Sequence, residues 1–331
     1  MDKRLLYTTF CLILLSIHSK AQVLGCTDPL SKNYDPLATF NTGSCVYKNK
    51  SVNPKFSIVI NNQLPETSGL VKYSGFLWTH NDDTDTHLYA LDTISGKIIK
   101  SYGLPNVLNT DWEEISQDSS YFYVGDFGNN YHGNRINLQV LRIEKNSLLM
   151  NLPKIDTIAF SYSNQKATQS TQSNRTEFDC EALVITKDSI YLFTKQWKSK
   201  NTSIYSLPKT PGNWVAKYKN SFHVKGLITG ATYLENKKLV VLCGYSIQLH
   251  PFIYLLYDYK GYDFFSGNKR KIKLKLPFHQ VEGIATSDGL HYYLTNESFS
   301  RKPIISIPQQ MHELDLSPYL KTYLEGVGLR Y

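Results

Sequence analysis

Residues 181–193 read EALVITKDSIYLF: an acidic residue, a small one, an aliphatic run, a polar turn, then an aromatic and β-branched run. That order occurs five times. The openings are Ser68-Gly69-Leu70, Glu113-Glu114-Ile115, Glu181-Ala182-Leu183, Thr229-Gly230-Ala231 and Glu282-Gly283-Ile284. A second run follows each: Phe76-Leu77-Trp78, Tyr121-Phe122-Tyr123-Val124, Ile190-Tyr191-Leu192-Phe193, Leu239-Val240-Val241-Leu242 and Tyr292-Tyr293-Leu294. Third runs come at residues 88–91, 138–141, 204–207, 253–256 and 304–307. These are strand compositions divided by turn residues.

Fourth strands are expected at 97–99, 156–162, 218–224 and 271–276, and the last unit lacks one. A spare strand, FSIVI at 56–60, precedes the first unit. Three of these outer segments end alike, at Leu64-Pro65, Leu104-Pro105 and Leu276-Pro277. The spare strand is therefore expected to complete the last unit and close a ring. Four-stranded antiparallel units repeated radially make an all-β protein, a β-propeller. Five blades are expected, with six as the alternative if the long insertion in blade two hides another. The alternating KIKLKL at 271–276 reads as an outermost strand with lysines guarding the sheet edge. The polar stretch 164–176 reads as an exposed loop. The expected division is a leader at 1–21, a small cysteine-bracketed module and linker at 22–50, the propeller at 55–310 and a C-terminal tail at 311–331.

The 331 residues are 41% hydrophobic and 19% charged, which excludes a disordered chain. The excess of positive charge, +8, is scattered, so no nucleic-acid partner is expected. Lys3 and Arg4, an apolar run at 5–17 and Ser19-Lys20-Ala21 read as a signal peptide cleaved before Gln22. No later stretch is long and apolar enough for a transmembrane segment. A secreted or cell-envelope monomer is expected, binding a small molecule, a glycan or a protein. Acylation at Cys26 is the weaker alternative.

Cys11 leaves with the leader. In an exported protein, Cys26 and Cys45 around a short polar segment read as a local disulfide. Cys180 and Cys243 are either buried thiols or a second bridge. The segment GCTDPLSKNYDPLATFNTGSCVY at 25–47 resembles a short cysteine-bracketed module of secreted bacterial surface proteins. This copy has Asn41-Thr42 where the module's usual pattern has two acids, which weakens any ion binding there.

Chemistry is expected where the repeat gathers side chains at one mouth of the ring. One aligned position holds Ser68, Glu113, Glu181, Thr229 and Glu282; two residues earlier stand Glu66, Asp111, Asp179, Leu227 and Gln280. A third set ends the second strands: Asn81, Asp126, Lys195, Gly244 and Asn296. Like charges around a narrow axis repel strongly at low dielectric, and a hard cation resolves this. A calcium site is therefore expected from Glu113, Glu181, Glu282, Asp126, Asn296 and Asn81, with Asp111, Asp179, Glu66 and Lys195 lining the channel. The alternative is a water-filled channel whose acids pair with Lys195, Arg135 or Arg175. Residues 81–85, NDDTD, read as a solvated turn, and His80 and His279 as loop residues near the mouth.

Residues 77–82 (LWTHND), 111–115 (DWEEI), 123–130 (YVGDFGNN) and Arg135, with Glu181-Ala182-Leu183 and Glu282-Gly283-Ile284, resemble a group of uncharacterised secreted bacterial β-propellers. That group is distantly similar to SdiA-regulated and esterase-like phytase propellers. The resemblance implies a propeller with calcium in the channel and no settled reaction. No G-x-S-x-G, H-E-x-x-H, P-loop or C-x-x-C is present. The expected function is a secreted, calcium-associated binding or surface-interaction module. The alternative is a metal-dependent hydrolase of esters, lactones or phosphoesters at the channel mouth.

Overall fold

A computed structural model describes residues 22–165 and 172–327. The expected leader lies outside these residues, as does the centre of the polar loop at 166–171.

Five four-stranded blades follow one another along the chain, with strands in order from the axis outward. Blade one comprises Thr67–Tyr73, Phe76–Asn81, His87–Asp92 and Ile98–Gly103. Blade two comprises Trp112–Gln117, Tyr121–Asp126, Leu138–Glu144 and Ile155–Tyr162. Blade three comprises Asp179–Ile185, Ser189–Lys195, Asn201–Pro208 and Gly212–His223. Blade four comprises Leu227–Leu234, Leu239–Tyr245, Pro251–Tyr257 and Asn268–Leu274. Blade five comprises Val281–Ala285, His291–Asn296, Gln310–Asp315 and, from the N-terminal side, Phe56–Val59. Each innermost strand contacts the next, and that of blade five contacts that of blade one, so the ring of five is closed.

The apolar runs are continuous because both faces of each blade are covered. On the innermost strand of blade three, Leu183 packs toward blade two while its neighbour Val184 packs toward blade four. Five hydrophobic cores result, one between each pair of adjacent blades. Between blades one and two, Trp78 stacks on Tyr102 at 5.5 Å and meets Phe122 at 5.0 Å. The axis is tight: Gly69 has φ +62°, and a Cβ there would lie 2.4 Å from the backbone nitrogen of Ile115 in the next blade.

The N-terminal strand closes the ring as expected, with Val59 opposite Gln310 and Phe56 opposite Glu313. Its partner corrects the reading of the last blade. The third strand is Gln310–Asp315, whose Met311 and Leu314 are fully buried. The isoleucines at 304–307 belong instead to a hairpin, Phe299–Arg301 with Ile305–Ile307, and Ile304 is 85% exposed. Residues 311–315, expected in a tail, thus complete a blade. The helix Ser317–Val327 then packs Leu320 and Tyr323 onto blades four and five.

The strand containing Lys271 is not outermost. Lys50–Val52 adds alongside it in parallel. Lys271 is half-buried, with its ammonium 3.6 Å from the Phe252 ring centroid and bonded to the Val224 carbonyl. Lys273 and Lys275 do face water. Elsewhere the outer strands of blades two and three pair in parallel and merge the two sheets into one of eight strands.

Cys26 and Cys45 form a disulfide, which leaves no thiol at Cys26 for acylation. The bracketed module docks on blade four: the Tyr47 and Tyr257 hydroxyls both donate to Asp28, and Asn41 donates to Asp258 and Asn268. Cys180 and Cys243 are buried free thiols. No helix among the described residues is long and apolar enough to cross a membrane.

Candidate functional site

The innermost strands of blades two to five carry a β-bulge at one repeat position. The skipped residue is Glu113, Glu181, Thr229 or Glu282. A bulge leaves its extra residue unpaired and re-aims the side chain. Here it turns three glutamates toward one mouth of the channel, where Glu113, Glu181 and Glu282 line a cavity of ≈ 410 Å³.

Carboxylate oxygens of Glu113, Asp179 and Glu181, three buried residues, all lie within 4.8 Å of one another. Asp179 accepts hydrogen bonds from the Asn129 backbone and the Trp197 indole, each at 2.7 Å. Lys195 lies 2.8 Å from Glu181. Glu282 is 5% exposed, and its buried Oε2 has no hydrogen-bond partner among the described residues. Burial, then the neighbouring Glu181 and Asp111 charges, hold the Glu113 carboxyl well above the usual range. Burial likewise pushes Glu282 up to about 7 against the opposing Lys195. The surrounding acids keep Lys195 firmly protonated despite its burial.

The loop after the second strand of blade two explains the GDFGNN signature. A Cβ on Gly128 would lie 2.2 Å from Glu113 Oε1 and 2.4 Å from the Asp111 carboxyl carbon. Only glycine leaves room for both acids. Arg135 fixes this loop through the Gly128 carbonyl at 2.8 Å and Asp126 at 2.7 Å. Asp111, beside it, is pushed up to about 6 by burial and by Asp179.

Three of the expected ligands are not brought to the others. Asp126 accepts from Arg135 and Gln139. Asn81 donates to the Gln63 carbonyl and Asp85. Asn296 donates to the Glu297 and Pro308 carbonyls and bonds His312. In all three blades the end of the second strand anchors the loop that follows it. The pairs of Asp126 with Arg135 and of Glu181 with Lys195 are both of the kind anticipated for a channel without a cation.

The next residue along is the one that reaches the mouth. Asp82 and Glu297 each donate a backbone hydrogen bond to the residue two before the aligned inner-strand position, Asp82 to Glu66 and Glu297 to Gln280. Carboxylate oxygens of Glu66, Asp82 and Glu297 all lie within 4.8 Å of one another. Burial, then the Glu66 and Glu282 charges, push Asp82 up to about 8. Asp82 was read as part of a solvated turn and Glu297 was not singled out. Their signal was the repeat position one past Asn81 and Asn296. His80 is buried and lowered to about 4, and His279 bonds the Pro277 carbonyl and Gln310.

Below the cavity the channel is blocked. At the position of Gly69, Ala182, Gly230 and Gly283, blade two has Glu114. This fully buried side chain crosses the axis and accepts from the Ala231 backbone of blade four at 2.7 Å. The acid cavity is therefore a dead end, separate from the ≈ 230 Å³ pocket on the opposite mouth.

No family model matches the chain, and no curated relative does. Solved structures show similarity at low identity. Hydrazine synthase from Kuenenia stuttgartiensis is 10% identical with a TM-score of 0.37, over 75% of this chain and 60% of that one. The mitotic checkpoint complex gives 13% and 0.34, over 74% and 62%. The WD40 repeats of RRP9 give 9% and 0.37, over 75% and 67%. The chain thus spans under two thirds of the first two. The propeller assignment rests on the strand pairing itself, and the secreted group and cysteine module named from sequence have no match beyond the fold.

Proposed function

We propose that this protein is an exported, calcium-associated β-propeller acting as a binding or surface-interaction module through its acid mouth. One observation carries the reading: Glu113, Asp179 and Glu181 converge within 4.8 Å, and Glu282, lining the same cavity as Glu113 and Glu181, has a buried oxygen with no hydrogen-bond partner among the described residues. Four carboxylates face the single ammonium of Lys195, which leaves a deficit that a hard divalent cation would fill. Calcium takes six to eight oxygens, and the cavity has space for water to complete the set. The blocked channel favours capture at the mouth over passage. The disulfide suits an oxidising compartment, and the leader at 1–21 would deliver the chain there.

The test is melting of the purified protein in Ca²⁺ and in chelator, with panels of esters, lactones and phosphoesters run alongside. The expected result is a calcium-dependent rise in melting temperature, lost in Glu113→Gln and Glu282→Gln, with no turnover. Metal-dependent turnover lost in the same variants would replace the binding module with the hydrolase. No effect of calcium on melting or turnover would overturn the site.

A further inference from the structure

We infer that the same cavity holds a second divalent-cation site, formed by Glu66, Asp82 and Glu297 on the seam between blades one and five. Glu66 and Asp82 come from blade one, before its first strand and after its second. Glu297 follows the second strand of blade five. The two blades meet here through the backbone bond from Ser298 to the Pro65 carbonyl, at 2.7 Å. This is also where the ring closes, since blade five is completed by the chain segment that leads into blade one.

Three carboxylate oxygens converge within 4.8 Å, and no lysine or arginine among the described residues forms an ion pair with them. The inner triad has Lys195 in direct ion-pair contact, whereas Lys195 reaches the outer one only through space, at Asp82, and the Gln280 amide donates to Glu297. Glu282 supplies an indication apart from the triad's own oxygens. It is 5% exposed, its Oε2 has no hydrogen-bond partner among the described residues, and it lines the same cavity as Asp82 and Glu297 and as Glu113 and Glu181. Its charge acts on Asp82 and Glu297 on one side and on Glu181 on the other. An all-oxygen set of carboxylates with room for water suits Ca²⁺ over softer metals. A cation there would clamp the first blade to the last.

This inference extends the cation reading of the inner triad and shares Glu282 with it, so the test must separate the two. Calcium alone is titrated calorimetrically into the full purified chain. The expected stoichiometry is two, falling to one in Asp82→Asn/Glu297→Gln and to one in Glu113→Gln/Glu181→Gln. A single ion, kept in the first variant and lost in the second, overturns the outer site and leaves the inner one standing. A single ion lost only in the first variant supports the outer site and overturns the inner one. Two ions retained in Asp82→Asn/Glu297→Gln, or none bound by the unaltered chain, overturns this inference. Circular dichroism in chelator checks folding; should the double variant not fold, Glu66→Gln serves, with an expected loss of about tenfold or more in the outer affinity.

Discussion

The Lys195 ammonium lies 2.8 Å from the Glu181 carboxylate, and both side chains are almost wholly buried at the mouth of the ring. Lys195 ends the second strand of blade three, opposite Asp179 on the first, so one hairpin places its charge among the acids. The ammonium also faces the rings of Trp197 and Tyr245, at 5.1 and 5.6 Å. It is the protein's own partial answer to the charge that the bulges collect.

Replacing Lys195 by Met removes that answer and keeps most of the volume. Breaking one side of a buried pair costs about 3–5 kcal/mol. Urea unfolding in chelator is expected to show a loss of that size, and calcium is expected to recover part of it. An unchanged midpoint would show that Lys195 does not compensate the acids.

Gly128→Ala puts a methyl group where Glu113 and Asp111 now sit. The carboxylates must move, because the Arg135 contacts hold the loop in place. Calcium affinity is expected to fall by about tenfold or more, equivalent to about 1.4 kcal/mol. Titration calorimetry reads this directly, and equal affinity in the variant would show that Glu113 is not a ligand.

Stability without calcium is expected to fall as pH rises from 6.5 to 8. Glu282 and Asp82 are raised to about 7 and about 8, so the folded state holds protons there that the unfolded state has released. Fewer protons bound in the unfolded state means that stability declines with rising pH. His80 and His312, lowered to about 4 and about 3, oppose this while the unfolded imidazoles, of pKa about 6.5, still hold protons, and their opposition fades as pH rises toward 8. Melting across the pH window in chelator should slope downward, and calcium should flatten it. A rising slope would contradict the burial of these acids.

Glu114→Ala empties the axis. It leaves the Ala231 N–H buried without an acceptor, at about 1–3 kcal/mol. Urea unfolding is expected to show this loss. Because Glu114 lies below the cavity, calcium stoichiometry should not change; a lost ion would place Glu114 among the ligands.

The sequence by itself determined the propeller. The inner strands of each blade are packed between neighbours on both faces, so their apolar runs are nearly unbroken and the five-fold order shows plainly in the chain. The spare strand at 56–60 and the missing fourth strand at the end were legible for the same reason. So was the Cys26–Cys45 bridge, which is local. The last blade was misread because Ile304 to Ile307 are more apolar than Gln310 to Asp315, and only packing shows which of them is buried.

The site divides along a similar line. Glu113, Glu181 and Glu282 were legible because the repeat aligns them. What only the tertiary structure decided is the direction of each side chain. A bulge turns those three inward, while Asn81, Asp126 and Asn296 turn away to hold loops, and Asp82 and Glu297 arrive in their place. Periodicity fixes which residues share a strand, but a single unpaired residue reverses which face they present. Whether the axis is open also depends on one side chain, Glu114, reaching across to a blade that is not its neighbour in sequence or in the ring.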